Sequence, residues 1–284
     1  MEDTIERVLL TGGNGLVGRT LTPMLAERCE VKHFDTRDPE DGHPCVVGDL
    51  RDRAAATQAC RGMDAIVHVA ALHGRAWAEA GDDTGFEVNV IGTKNILEAA
   101  RESGVGRVVF TSSIWATGHG PDAPYLPIDE DLPREPVELY GLTKKLGEQM
   151  CRYAWRRYGI STICLRPGGI LPADAGKGAR INLLSGCVDV RDVAQAHLLA
   201  AFAPAELDHA TMIVMPESPL CGVEPERFFE NPIEALDEQI PGIAEAAAEG
   251  KLEIPDFREW YTIEKAKELL GYEPQHSFNL AEYM

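Results

Sequence analysis

Thr11-Gly12-Gly13-Asn14-Gly15-Leu16-Val17-Gly18 follows the apolar run Val8-Leu9-Leu10 and opens onto an amphipathic stretch. An apolar run, a glycine cluster and a helix start, in that order, require a tight strand-to-helix turn. Its backbone is bare enough to touch a pyrophosphate, and the free N–H groups of the helix N-terminus attract the anion. The stretch predicts the first βα unit of a dinucleotide-binding sheet, with Gly12, Gly15, Leu16, Val17 and Gly18 at the cofactor. The second strand ends on Asp35, at roughly the 20-residue offset of an acid that binds the adenine ribose 2′-hydroxyl. A carboxylate there repels a 2′-phosphate and favours NAD over NADP. Arg37, two residues on, could accept that phosphate, and Asp35 could equally be a plain strand-end turn residue.

Outward from this turn, short apolar runs alternate with amphipathic stretches, the pattern of βαβ units and a parallel sheet. Strands are expected at 7–11, 31–35, 45–48, 65–69, 107–112 and 161–166, with helices at 16–28, 53–60, 86–103 and 139–158. After Arg166 the order loosens through Pro167-Gly168-Gly169 and Gly176. Helix returns at 190–202 and strand at 211–215, and two further helices are expected at 233–249 and 263–270. The fold class is α/β: a doubly wound parallel sheet (Rossmann) with a small, mainly helical C-terminal substrate lobe. Residues 1–166, completed by 189–215, would form the NAD-binding part. Residues 167–188 and 216–284 would form the substrate lobe.

The chain of 284 residues is 44% hydrophobic and 26% charged, an ordinary balance for a globular enzyme. Its formal net charge of −19 makes nucleic acid and anionic membranes poor partners. No apolar run approaches a membrane span, and the acidic start Met1-Glu2-Asp3 shows no leader. A cytoplasmic location is expected. The 7 cysteines are scattered without a CxxC pair, which reads as reduced thiols. No His and Cys spacing suggests a metal site.

Tyr140 and Lys144 stand four apart, on one face of the expected 139–158 helix. Tyr is a poor base at neutral pH, its reference pKa being about 10. A neighbouring ammonium favours tyrosinate and turns the phenol into a usable general acid/base.

The glycine stretch, Ser112-Ser113 at the end of the fifth strand, and Tyr140-Gly141-Leu142-Thr143-Lys144 together resemble the extended short-chain dehydrogenase/reductase superfamily, in its NAD-dependent epimerase/dehydratase branch. The resemblance covers essentially the whole chain. Gly48-Asp49-Leu50 resembles that branch's GD(L/I) turn, His68-Val69-Ala70-Ala71 its HxAA strand end, and Asn89-Val90-Ile91-Gly92-Thr93 its NxxGT helix. Arg166-Pro167-Gly168 is similar to the segment beside the nicotinamide. The resemblance implies that Asp49, Leu50, Ala70, Ala71, Asn89 and Pro167 join the cofactor site. It implies Ser113 as the hydroxyl that bonds the substrate oxygen, Ser112 as its more buried neighbour, Tyr140 as the acid/base, and Lys144 as the group that holds the nicotinamide ribose and depresses the Tyr pKa. The implied reaction is hydride transfer between a sugar hydroxyl and NAD. The family also commonly pairs as a homodimer through its 86–103 and 139–158 helices.

Departures narrow the reaction. A sugar-nucleotide dehydratase has an Asp-Glu pair after its hydroxyl, whereas Ile114 and Trp115 stand here. Gly168-Gly169 replace the Asn with which sugar-nucleotide epimerases reach a diphosphate, and the chain from Arg166 to Asp189-Val190-Arg191-Asp192 is short. That compact segment is similar to uronate dehydrogenases, in which an Arg grips the sugar carboxylate. Arg180 occupies a comparable place, and a guanidinium suits bidentate carboxylate binding; it could also be a surface Arg on a glycine-flanked loop. His73, Trp115 and His119 fall on loops at the ligand side of the sheet. Trp115 could stack on a sugar or pack beneath its loop. Glu148 and Glu79 read as helix-surface charges. The expected function is an NAD-dependent sugar dehydrogenase, with a uronate among its candidate substrates. The alternatives are a UDP-hexose 4-epimerase using the same hydride step and a non-catalytic dinucleotide-sensing scaffold.

Overall fold

The computed structural model describes residues 5–118 and 123–284; His119 lies outside the described residues. The first half runs β1 (Arg7–Thr11), α1 (Leu16–Ala26), β2 (Glu30–Asp35), β3 (Cys45–Val47), α2 (Arg53–Cys60), β4 (Ala65–His68), α3 (Gly74–Ala80), α4 (Asp82–Phe86), α5 (Gly92–Ser103) and β5 (Arg107–Thr111). It continues with α6 (Leu139–Tyr158), β6 (Ser161–Pro167), β7 (Gly169–Leu171), α7 (Lys177–Arg180), β8 (Cys187–Asp189), α8 (Val190–Ala201) and β9 (His209–Val214). The last helices are α9 (Pro225–Glu230), α10 (Pro232–Gln239), α11 (Ile243–Ala248) and α12 (Glu264–Leu270). One seven-stranded parallel sheet has the order β3-β2-β1-β4-β5-β6-β9, and β7 pairs with β8 beside it.

The strands are short apolar runs because helices cover both faces of a parallel sheet. Side chains alternate along β1. Val8 and Leu10 point to a cluster with Val17, Leu21, Val193 and Ala196 of α1 and α8. Leu9 points to the opposite cluster, with Ile96 and Ala99 of α5 and Cys151 and Ala154 of α6. A third cluster joins Ile181 and Leu184 to Leu220, Phe228, Leu236 and Trp260. Trp260 and Phe228 meet edge to face at 5.2 Å, and burying each such side chain contributes roughly 1.5–3 kcal/mol.

The sheet order reverses at β1, which pairs with β2 on one side and β4 on the other. That switch point opens a crevice at the carboxyl ends of the strands.

Three expectations change in detail. The 233–249 helix is two helices, broken at Ile240-Pro241-Gly242, where Pro lacks an N–H and Gly242 sits at φ +94°. The 86–103 helix begins instead with a π turn, Glu87–Ile91, before α5. Four short helices, α3, α4, α7 and α9, were not expected. All 7 cysteines are free, and among the described residues no helix is long and apolar enough to cross a membrane.

Candidate active site

A cleft of about 1140 Å³ lies along the ends of β1, β4, β5 and β6. That exceeds the ~300–1,000 Å³ typical of a single small-ligand pocket and suits a dinucleotide with a small substrate. Gly12 adopts φ +78°, and a Cβ there would stand 2.9 Å from the Ala70 backbone. A Cβ on Gly18 would meet the Gly12 carbonyl oxygen at 2.2 Å, so helix and turn approach this closely only as glycines. Gly15 caps α1 with no side-chain bond, and the first turn holds no acid. The helix amides and the positive end of its dipole are thereby left to an anion. Asp35 lines the adjoining wall, and its carboxylate accepts from the Asn14 amide at 3.0 Å. These residues fit the pyrophosphate and ribose of a dinucleotide.

Asp49 also lines this end, with Arg51 bonded to it at 2.8 Å and to Glu87 at 3.0 Å. The side chain of Arg51 holds the Asp49 carboxyl below its usual range.

At the other end stand Ser113, Tyr140 and Lys144, brought together by the end of β5 and the first turns of α6. Gly141 and Gly147 permit this packing. A Cβ on Gly141 would lie 2.5 Å from the Trp115 carbonyl oxygen, and one on Gly147 2.3 Å from the Phe110 ring. Burial pushes the Tyr140 phenol up to about 12, and a hydrogen bond with Ser113 partly opposes this. Burial lowers the Lys144 ammonium to about 8, and the Glu148 charge partly restores it. Lys144 donates to the Thr111 carbonyl at 2.8 Å, and its Nζ lies 5.8 Å from the Tyr140 ring centre. In the protein alone, burial is the larger influence on Tyr140, and the opposing one comes from Ser113.

Beneath this trio lies a buried ion pair that sequence reasoning misplaced. Glu148 is not a surface charge. Arg166 grips it through two nitrogens, both at 2.8 Å, and Ser112 donates to it at 2.5 Å. Arg166 also donates to the Glu130 carbonyl at 3.1 Å. Ser112 is the more buried of the two serines, at 2% exposed against 7% for Ser113.

Of the described residues nominated from sequence for the site, all line the cleft except Gly18, Asn89 and Arg180. Gly18 acts from behind, through the close approach just given. Asn89 is buried on the π turn, where it accepts from the Leu72 amide at 2.8 Å and donates to the Leu72 carbonyl at 2.9 Å. It pins the loop after β4 instead of lining the cofactor wall. His68, the first residue of the HxAA strand end, is likewise buried, between Thr11 and Thr93.

Arg180 requires the largest correction. Its side chain is 13% exposed and paired with Asp189 at 3.4 Å and Glu282 at 3.1 Å, away from the cleft lining. Its guanidinium is committed to joining α7 to β8 and the chain end. Arg180→Ala should therefore cost about 2 kcal/mol of stability in denaturant unfolding and leave KM values unchanged. A raised KM with intact stability would return it to the substrate site.

The cleft also has members that the sequence did not announce. Trp77 of α3 meets Tyr140 edge to face at 6.0 Å, beside Trp115 at 6.2 Å. Asp82 and Glu138 share the lining. The position of Trp77 after the carboxyl end of β4 was the available signal, since those loops carry ligands in open α/β sheets.

Residues 8–178 match the model of the NAD dependent epimerase/dehydratase family. The chain is 37% identical over 175 residues to the 3-beta-hydroxysteroid dehydrogenase of Mycolicibacterium neoaurum, across 58% of this chain and 47% of that protein. It is 34% identical over 171 residues to the uronate dehydrogenase of Pseudomonas putida, across 58% of this chain and 62% of that protein. The matches thus span about half to two thirds of these relatives. Among solved structures, a short-chain dehydrogenase/reductase superfamily protein from Agrobacterium tumefaciens with bound NAD superposes at TM-score 0.75. It is 25% identical, with 98% of this chain and 94% of that one covered.

Proposed function

The chain belongs to the NAD dependent epimerase/dehydratase family, and on that premise we propose that it is an NAD-linked dehydrogenase of a small, free sugar or sugar derivative. The observation that carries the reading is the placement of Ser113, Tyr140 and Lys144 in the same cleft as the glycine turn. NAD, when bound, supplies the hydride acceptor and a positive charge in the cleft. Ser113 orients the substrate hydroxyl, and Tyr140 takes its proton at the phenolic oxygen. Lys144, held to the Thr111 carbonyl, contributes a positive charge that favours tyrosinate once the proton moves. Trp77 and Trp115 exclude water from the reacting hydroxyl.

Oxidation is favoured over epimerisation of a sugar nucleotide because the β7–α7–β8 segment is short, leaving little chain to enclose a nucleotide diphosphate. Incubation with NAD and a panel of aldoses, uronates and UDP-hexoses tests this. Accumulating reduced nicotinamide is expected; isomerised UDP-hexose without it would overturn the reading in favour of an epimerase.

Asp35 is the basis for preferring NAD. Asp35→Asn should narrow the ratio of NAD to NADP affinity by about tenfold, the worth of one hydrogen bond to a charged group. Titration of both dinucleotides measures it, and a wild-type preference for NADP would reverse the assignment.

The protein is further proposed to be a cytoplasmic homodimer. Ile91, Leu142, Tyr153 and Tyr158 are exposed on the π turn and α6, an apolar surface suited to a second copy. Light scattering at the mass of one chain would contradict this.

A further inference from the structure

Resting on the dehydrogenase reading, we propose that the substrate end of the cleft selects a neutral ring, a secondary alcohol or hemiacetal with an apolar C–H face, and rejects carboxylates. The geometry points to Trp77 as the specificity-determining residue. Its indole Nε1 donates to Asp82 at 2.8 Å, and Gly85 makes room for the ring, since a Cβ there would meet it at 2.5 Å. The indole is therefore held in one orientation beside the reactive phenol, with Trp115 on another side of Tyr140. Flat, fixed aromatic walls suit a ring's C–H face, leaving polar recognition to a few groups.

Charge points the same way. Among the described residues lining the cleft, the cations are Arg37, Arg51 and Lys144. Arg37 and Arg51 follow β2 and β3, across the glycine turn from Tyr140. Lys144 is buried and directed to Thr111. The Asp82 carboxylate at this end would repel an acidic substrate in a partly desolvated site. Arg180, the sequence's candidate for gripping a carboxylate, is engaged elsewhere.

The test is steady-state turnover of the full chain with NAD and three probes: D-galactose, D-galacturonate and cyclohexanol. At least a tenfold higher kcat/KM for one of the neutral rings than for galacturonate is expected. Trp77→Ala should raise KM for that ring about tenfold with NAD affinity unchanged, and Trp77→Phe should recover most of it. Asp82→Asn, which can still accept the indole hydrogen bond, should narrow the discrimination against galacturonate. A wild-type preference for galacturonate, or a Trp77→Ala protein with unchanged KM, overturns this proposal and leaves the dehydrogenase reading standing. Cyclohexanol preferred over galactose keeps ring selection and removes the sugar from the reading. Failure of NAD to bind, or of every probe to turn over, overturns both.

Discussion

Tyr140→Phe should lower kcat by about 10²–10⁴-fold, the usual worth of a positioned acid/base, while NAD binds as before. The phenol oxygen is the one heavy atom the change removes, and Tyr140 shares the cleft with Ser113 and Lys144. The ring would keep its edge contacts with Trp77 and Trp115, so the cleft should hold its shape. NAD titration beside steady-state kinetics separates the two effects. A variant with wild-type turnover would remove Tyr140 from the chemistry, and one that loses NAD affinity equally would make it a cofactor-binding group.

The second large effect falls on stability. Glu148→Ala would leave the Arg166 guanidinium, 9% exposed, without its carboxylate, and breaking a buried pair from one side costs about 3–5 kcal/mol. Ser112 would lose its acceptor as well. Denaturant unfolding measures the loss, and a change below about 1 kcal/mol would show that water or another group takes over. The milder Glu148→Gln carries a pH signature. The Glu148 charge raises the Lys144 pKa, so its removal should move the loss of the Lys144 proton to a pH below about 8. Activity that depends on the ammonium would then fall off at lower pH than in the parent protein, and an unmoved alkaline limb would separate Glu148 from Lys144.

What could be read from sequence follows the range of the interactions concerned. The β1–α1 turn is local: its glycines, its apolar strand and its helix start are neighbours, and the structure follows the expectation closely. The α6 boundaries, Leu139 and Tyr158, also agree, because Gly159 at φ +70° supplies a left-handed stop. Glu148 was misread because its partner Arg166 lies 18 residues away on another element, and a helix pattern shows a charge but not what faces it. Arg180 was misread for the same reason, its partner Glu282 being 102 residues distant. The short α3 escaped notice because it buries no residue fully, so no apolar period marks it, yet it carries Trp77. Most of the cleft lining was thus legible, His73, Ser113, Trp115 and Tyr140 included, and what escaped were Trp77 and the partners that distant elements bring to Glu148 and Arg180.

On the dehydrogenase reading, hydride leaves a ring carbon in the cleft while Tyr140 takes the proton. A substrate deuterated at the reacting carbon, incubated with the protein and NAD, tests it most directly when the products are weighed by mass spectrometry. Deuterium in the released nicotinamide, together with an oxidised sugar, is expected. Deuterium retained on an isomerised sugar, or lost to water, would contradict it.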